Sequence, residues 1–245
     1  NMVVAKFPKS AITESFRAIR SNLPFLVSED AKSSDQGQAI LVTSSIGGEG
    51  KTFCSINISL VMSFSKKKTV LIGVDLRKPK IYNDFGLSNA VGLANYLAGQ
   101  NNADEIIQST EFDHLDIISA GPIPPNPSEL IIGPRFEQLI KELRSRYDYV
   151  VFDTPPIVLV SDALEITRHV DLSLYVVRQA YTEKGYLTLI DEKYEQGSVG
   201  NTALIFNDFQ VDKTGYGYGY GYGYGYGYGY GYGYGYGYGY GYGYG

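Results

Sequence analysis

The run Ser45-Ile46-Gly47-Gly48-Glu49-Gly50-Lys51-Thr52 joins an apolar segment to one of helical pattern. That context makes it a phosphate-binding loop. Glycines let successive backbone N–H groups turn toward phosphate oxygens, and the start of the following helix adds donors and a positive dipole end. Ser45, Gly47, Gly48, Glu49, Gly50, Lys51 and Thr52 are the expected nucleotide-binding set. Lys51 is placed to reach the β- and γ-phosphates of ATP, and Thr52 to ligate Mg²⁺. The literal motif has Gly where Ser45 stands, so the plain alternative is a Gly-rich turn that happens to end in Lys-Thr.

Two carboxylates stand at the ends of apolar runs. Val70-Leu71-Ile72-Gly73-Val74 leads into Asp75-Leu76-Arg77, and Tyr149-Val150-Val151-Phe152 leads into Asp153-Thr154-Pro155-Pro156. Mg²⁺ takes oxygen ligands, commonly one or two carboxylates together with phosphates and water. Thr52, Asp75 and Asp153 are therefore the candidate metal ligands, and Lys51, Asp75 and Asp153 the candidate catalytic groups. Asp75 has a second possible role as the base for an incoming hydroxyl. The plain alternative for either Asp is a cap on a turn or helix.

The elements that must position these groups alternate along the chain. Strands are expected at Ala39–Ser44, Thr69–Val74, Leu115–Ala120, Tyr149–Phe152, Leu172–Val177 and Ala203–Phe206. Helices are expected near Thr52–Ser65, Val91–Ala98, Ser128–Arg146, Ala163–His169 and Glu183–Glu195. Such alternation predicts a doubly wound α/β fold with a mostly parallel sheet, whose ligands bind beyond the carboxyl ends of the strands. An N-terminal helix is expected to start at Thr13 as its N-cap and to stop before Pro24, with a polar loop over Ser28–Gln38.

Composition narrows the classes. The 245 residues suit one α/β domain, and the net charge of −5 argues against non-specific nucleic-acid binding. The single Cys54 excludes a disulfide framework and a Cys-rich metal site, and fits a reducing compartment. No apolar run approaches the ~18 residues of a membrane span, and no signal peptide is present. Because the chain begins at Asn1 rather than Met, it reads as a segment of a longer protein. His114 and His169 lack metal-ligand spacing, and Asp84-Phe85-Gly86 lacks the catalytic loop that would make it a eukaryotic-type kinase triplet.

The loop ending Gly50-Lys51-Thr52, the Asp75-Leu76-Arg77 triplet and the Asp153-Thr154-Pro155-Pro156 run together resemble the Walker A, A′ and B motifs of bacterial tyrosine kinases. Gly121-Pro122-Ile123-Pro124-Pro125-Asn126-Pro127-Ser128-Glu129-Leu130 also resembles a family loop, and the likeness spans nearly the whole chain. The resemblance implies an ATP- and Mg²⁺-dependent protein-tyrosine kinase that autophosphorylates and regulates capsular or extracellular polysaccharide. It implies a membrane co-polymerase partner, in the parent chain or a separate subunit, and a place at the cytoplasmic face of the bacterial inner membrane. Ile46 stands where partitioning ATPases of a related group carry a second loop Lys. The family's Walker A′ motif usually has a further Asp where this chain has Gly73.

The expected organisation is an N-terminal oligomerisation helix over 1–27, a P-loop kinase domain over 28–214 and a disordered tail over 215–245. Glu14, Arg17 and Arg20 share one helix face. On spacing alone they make a solvated surface with a local ion pair, and the resemblance makes them a Glu-x-x-Arg-x-x-Arg motif that joins subunits into a ring. From Gly215 to Gly245 the chain alternates Gly and Tyr, with no charge beyond Lys213. The resemblance makes Tyr216, Tyr218, Tyr220, Tyr222, Tyr224, Tyr226, Tyr228, Tyr230, Tyr232, Tyr234, Tyr236, Tyr238, Tyr240, Tyr242 and Tyr244 the phosphoacceptors. As a flexible coil of about 31 residues this tail would span roughly 30 Å. Asn207, after the last strand, is a further nucleotide-binding candidate, and Arg178 a candidate cation at the same edge. Two other readings stay open: a P-loop ATPase switch without tyrosine transfer, and a nucleotide-binding interaction module.

Overall fold

The computed structural model describes residues 1–27, 36–158 and 162–210. The chain divides into two units, Asn1–Gln210 and Val211–Gly245, and every described residue belongs to the first. Seven strands form one sheet there: β1 (Gln38–Ser44), β2 (Thr69–Gly73), β3 (Ile107–Ser109), β4 (Leu115–Ile118), β5 (Tyr149–Asp153), β6 (Leu172–Arg178) and β7 (Thr202–Asn207). Their order is β3-β4-β2-β5-β1-β6-β7. All pairs are parallel except β3 with β4. The helices are α1 (Val3–Lys6), α2 (Ala11–Leu26), α3 (Lys51–Ser63), α4 (Ile81–Phe85), α5 (Leu93–Leu97), α6 (Ala103–Ile106), α7 (Pro127–Ile132), α8 (Pro134–Arg146), α9 (Asp162–Ile166) and α10 (Lys184–Glu195).

The central strands are apolar at successive positions because both faces are covered. Ala39, Leu41, Val70, Ile72, Val150 and Phe152 join one core, which α5 and α8 close with Leu93, Phe136, Leu139 and Leu143. Ile40, Val42, Leu71, Val151 and Leu174 join the other, beneath α2 and α3. Phe136 packs against Phe152 at 6.1 Å between ring centroids, and Phe16 meets Phe53 edge-on at 5.7 Å. Parallel pairing requires crossovers, and α3, α8 and α10 supply three of them. The doubly wound sheet expected from the sequence is thus the fold observed.

The helix α3 is buried at every position from Cys54 to Ser63. Its polar residues are satisfied locally: Ser59 donates to the Ser55 carbonyl at 2.8 Å, and the Asn57 amide donates to the carbonyls of Phe53 (2.8 Å) and Asn1 (2.7 Å). Burial pushes the Cys54 thiol up to about 12, with Asp153 adding to the shift, so it is not a reactive nucleophile.

Three boundaries differ from the sequence expectation. Ser10, not Thr13, caps α2: its hydroxyl accepts the Thr13 N–H at 3.2 Å, while the buried Thr13 hydroxyl donates to the Phe7 carbonyl at 2.8 Å. The helix also runs through Pro24 to Leu26. Pro24 falls in the last turn, where a missing N–H removes only one bond, to the Arg20 carbonyl. Ser128–Arg146 is two helices, because Gly133 ends α7 with an extended backbone and Pro134 has no N–H to continue it. The antiparallel β3 and the short α4 and α6 carry too few residues for a period to show. Most of the expected loop at Ser28–Gln38 lies outside the described residues. No helix among the described residues is long and apolar enough to cross a membrane.

Candidate active site

The phosphate loop leaves the carboxyl end of β1 and enters α3. Gly48 and Gly50 have φ of +89° and +100°, a region that costs residues with a Cβ. At Gly50 a Cβ would also come within 2.1 Å of the Asn207 amide nitrogen. Ser45 is fully buried, and its hydroxyl pairs with the Tyr175 hydroxyl at 2.7 Å. That contact accounts for a Ser where the literal motif has Gly. Glu49 is buried as well. Its carboxylate accepts the Ile46 N–H at 2.7 Å and the Thr182 hydroxyl at 2.5 Å, so it braces the loop from inside.

Asp153 ends β5, which lies between β1 and β2, in register with Val42 on one side and Gly73 on the other. Its side chain accepts the Thr52 hydroxyl at 2.8 Å and the Ser55 hydroxyl at 3.1 Å. Only 4% of the residue is exposed. Burial raises its carboxyl to about 6, with Asp75 pushing the same way, against the opposing pull of Lys51, Thr52 and Ser55. Asp75 follows β2 and accepts the N–H groups of Arg77 (3.2 Å) and Lys78 (3.0 Å) in a tight turn. Lys51, Thr52, Gly73, Asp75, Tyr82 and Asp153 line one cleft. The hydroxyl and two carboxylates there form an oxygen donor set suited to a hard divalent cation.

Gly73 adds no side chain to this cleft. A Cβ there would make ordinary contacts of 3.5 Å with the Ala120 nitrogen and the Ile81 side chain. Two larger recesses, about 680 Å³ each, open at the amino ends of the strands around Lys68, His114 and Arg146. They lie away from the loop and both carboxylates, whereas ligands of open α/β sheets bind at the opposite, carboxyl ends.

The far rim of the loop comes from β6, β7 and the segments after them. Asn207 donates its amide to the Glu49 carbonyl at 2.9 Å, so it holds the loop backbone. Arg178 donates to the Gly48 carbonyl at 3.0 Å and pairs with Asp208 at 3.0 Å. The Tyr181 hydroxyl donates to the Gly47 carbonyl at 2.9 Å, beneath the Arg178 guanidinium. Ser55, Tyr181 and Thr182 were not singled out from the sequence. Ser55 sits one helical turn after Thr52, a spacing that could have revealed it, while Tyr181 and Thr182 carry no local signal.

Glu14, Arg17 and Arg20 are not part of the cleft. Arg17 pairs with Glu14, and Arg20 donates to the Ser65 hydroxyl on the α3 side. Tyr216 to Tyr244 lie outside the described residues.

Residues 37–193 match the family model described as an AAA domain. The chain is 38% identical over 184 residues to the tyrosine-protein kinase YwqD of Bacillus subtilis, covering 75% of this chain and 76% of that one. It is 35% identical over 200 residues to the tyrosine-protein kinase etk of Escherichia coli K12, but spans only 27% of that protein. The solved kinase domain of Escherichia coli ETK superposes with a TM-score of 0.81 at 34% identity, over 91% of this chain and 86% of that one. The cell division ATPase MinD of Pyrococcus furiosus, at 22% identity and a TM-score of 0.58, shares the fold alone. Fold and loop together define a P-loop nucleotide-binding protein. Within that class, the chain belongs to the bacterial tyrosine-protein kinases.

The raised Asp153 carboxyl has a consequence for stability. The folded protein holds this proton to a higher pH than the unfolded chain does. Stability therefore falls as pH rises from about 4 through about 6 and stays lower above it. In metal-free, nucleotide-free protein, Asp153→Asn should be more stable than wild type at pH 7.5 by about 1–3 kcal/mol. Urea titrations should show that advantage shrinking toward pH 4. An advantage independent of pH would contradict the assignment.

Proposed function

We propose that this chain is an ATP-dependent tyrosine autokinase whose acceptors are the tail tyrosines Tyr216 to Tyr244. The observation that carries this reading is the Thr52–Asp153–Ser55 cluster at the mouth of the phosphate loop, in a chain similar to tyrosine kinases and ending in regularly spaced tyrosines. When bound, MgATP supplies the transferable phosphoryl group and a metal charge that neutralises its oxygens. The loop N–H groups and the α3 start hold the phosphates, and Lys51 offsets the charge of the group in transfer. Thr52 and Asp153, with Asp75, would hold the metal when it is bound. Asp75 is also the group that orients and deprotonates the acceptor hydroxyl. Catalysis here is mainly positioning and electrostatics.

Transfer runs between subunits of a ring, which Glu14, Arg17 and Arg20 join through exposed or half-buried positions on α2. Each phosphotyrosine adds about −1.5 to −2 charges, so a modified tail repels its neighbours and loosens the ring. From the resemblance of its motifs, we further propose that the chain works with a polysaccharide co-polymerase at the inner face of the bacterial membrane and regulates polysaccharide export.

A second reading, a P-loop ATPase switch without tyrosine transfer, is favoured by Gly73, which leaves the cleft one carboxylate short of the family pattern. Intact-mass spectrometry after incubation with MgATP separates the two. The kinase reading predicts a ladder of phosphate additions confined to Gly215–Gly245 and absent in Lys51→Met. ATP hydrolysis with no added mass would establish the switch instead. For the ring, light scattering should show Arg17→Ala combined with Arg20→Ala as monomer, and a persistent oligomer would rule out this helix as the joint.

A further inference from the structure

β7 is the last strand of the sheet. It pairs with β6 on one side, and among the described residues no strand pairs with its other side. A free edge presents unpaired N–H and C=O groups, and protective charges usually guard it. β7 reads Thr-Ala-Leu-Ile-Phe-Asn and has none. Its alternate residues divide cleanly. Ala203 and Ile205 turn toward the core beneath α2 and α3, while Leu204 and Phe206 are 62% and 57% exposed.

Leu204 lines an apolar groove of about 480 Å³ between β7 and α10, together with Leu187, Ile190 and Tyr194. Two residues after Leu204 on β7, the exposed Phe206 meets the exposed Phe209, with ring centroids 5.7 Å apart. Asp191 is the charged residue of the lining. One end of β7 reaches the active site, because Asn207 holds the Glu49 carbonyl of the phosphate loop.

The chain itself contains a segment of matching chemistry. Side chains alternate faces along an extended strand, so Gly-Tyr alternation over Gly215–Gly245 would put every tyrosine on one face and bare backbone on the other. The segment is uncharged, as the groove nearly is, and its rings suit an aromatic and aliphatic track. We propose that the free β7 edge and its groove dock the Gly-Tyr segment of a second copy of this chain, added to the sheet as a further strand. Main-chain bonds to β7 hold the segment, and the tyrosine stripe fills the groove. The regular repeat lets the strand shift by two residues without losing a contact, which brings successive tyrosines to the phosphate-loop end. That delivery rests on the kinase reading, whereas docking does not. A phosphotyrosine dianion would enter an apolar groove beside Asp191, so phosphorylation should release the segment.

The test is fluorescence anisotropy of a labelled peptide of seven Gly-Tyr repeats with the Lys51→Met form of the 245-residue chain, which separates docking from transfer. The Gly-Tyr peptide should bind, and a Gly-Ser peptide of equal length should not. A phosphotyrosine version should bind at least tenfold more weakly. Leu204→Lys with Phe206→Lys, and separately Tyr194→Lys on the facing helix, should each weaken binding at least tenfold with ATP affinity unchanged. Undiminished binding in both variants, equal binding of the Gly-Ser peptide, or no binding of the Gly-Tyr peptide would overturn the proposal. None of these outcomes depends on whether the protein transfers phosphate.

Discussion

The structure turns on one buried carboxylate. Asp153 sits at the end of an interior strand, where removal from water disfavours its charge, and only close partners make its ionised form tolerable. Those partners, Thr52 and Ser55, stand one turn apart at the start of α3, directly after the loop. The arrangement requires β5 to lie between β1 and β2. With that order, a single carboxylate reaches the loop helix on one side and the Gly73–Asp75 turn on the other. A different strand order would separate the oxygen donors of Thr52, Asp75 and Asp153. The site thus gives up stability in the empty protein for an anionic group already in place.

The opposite side of the loop is fixed by a different device. Its carbonyls at Gly47, Gly48 and Glu49 are held by Tyr181, Arg178 and Asn207, and its inner face by Glu49 through Ile46 and Thr182. With these carbonyls tied outward, the loop is prepared for phosphate before any ligand arrives, which lowers the reorganisation needed on binding. Asn207 and Arg178 thereby join the site by shaping its backbone. The same end of β7 continues into the exposed Leu204–Phe206 edge, so the loop's bracing and the proposed docking track share one element.

What could be read from the sequence follows from how local each signal is. The interior parallel strands were legible because burial on both faces makes continuous apolar runs, the edge strand β7 because its exposed face is apolar too, and the loop because its glycines, Lys51 and Thr52 are adjacent. Asp75 and Asp153 were legible as acidic residues ending such runs. Edge strand β3 was not, since Ile107-Gln108-Ser109 is short and half polar. The break at Gly133-Pro134 was overlooked because the apolar period continues across it. The Ser10 cap was masked by Thr13, an equally good capping type whose hydroxyl is used elsewhere. Tyr181 and Thr182 belong to the site through contacts more than 130 residues away in sequence, which no local pattern encodes.

The most direct test of the central claim is calorimetric titration of ATP, with and without Mg²⁺, into wild type and Asp153→Asn. If Asp153 is the metal-holding carboxylate, Mg²⁺ should strengthen ATP binding to the wild type. The variant should lose at least tenfold of that gain while binding metal-free ATP as well or better. An Asp153→Asn protein with the wild-type dependence on Mg²⁺ would contradict the account.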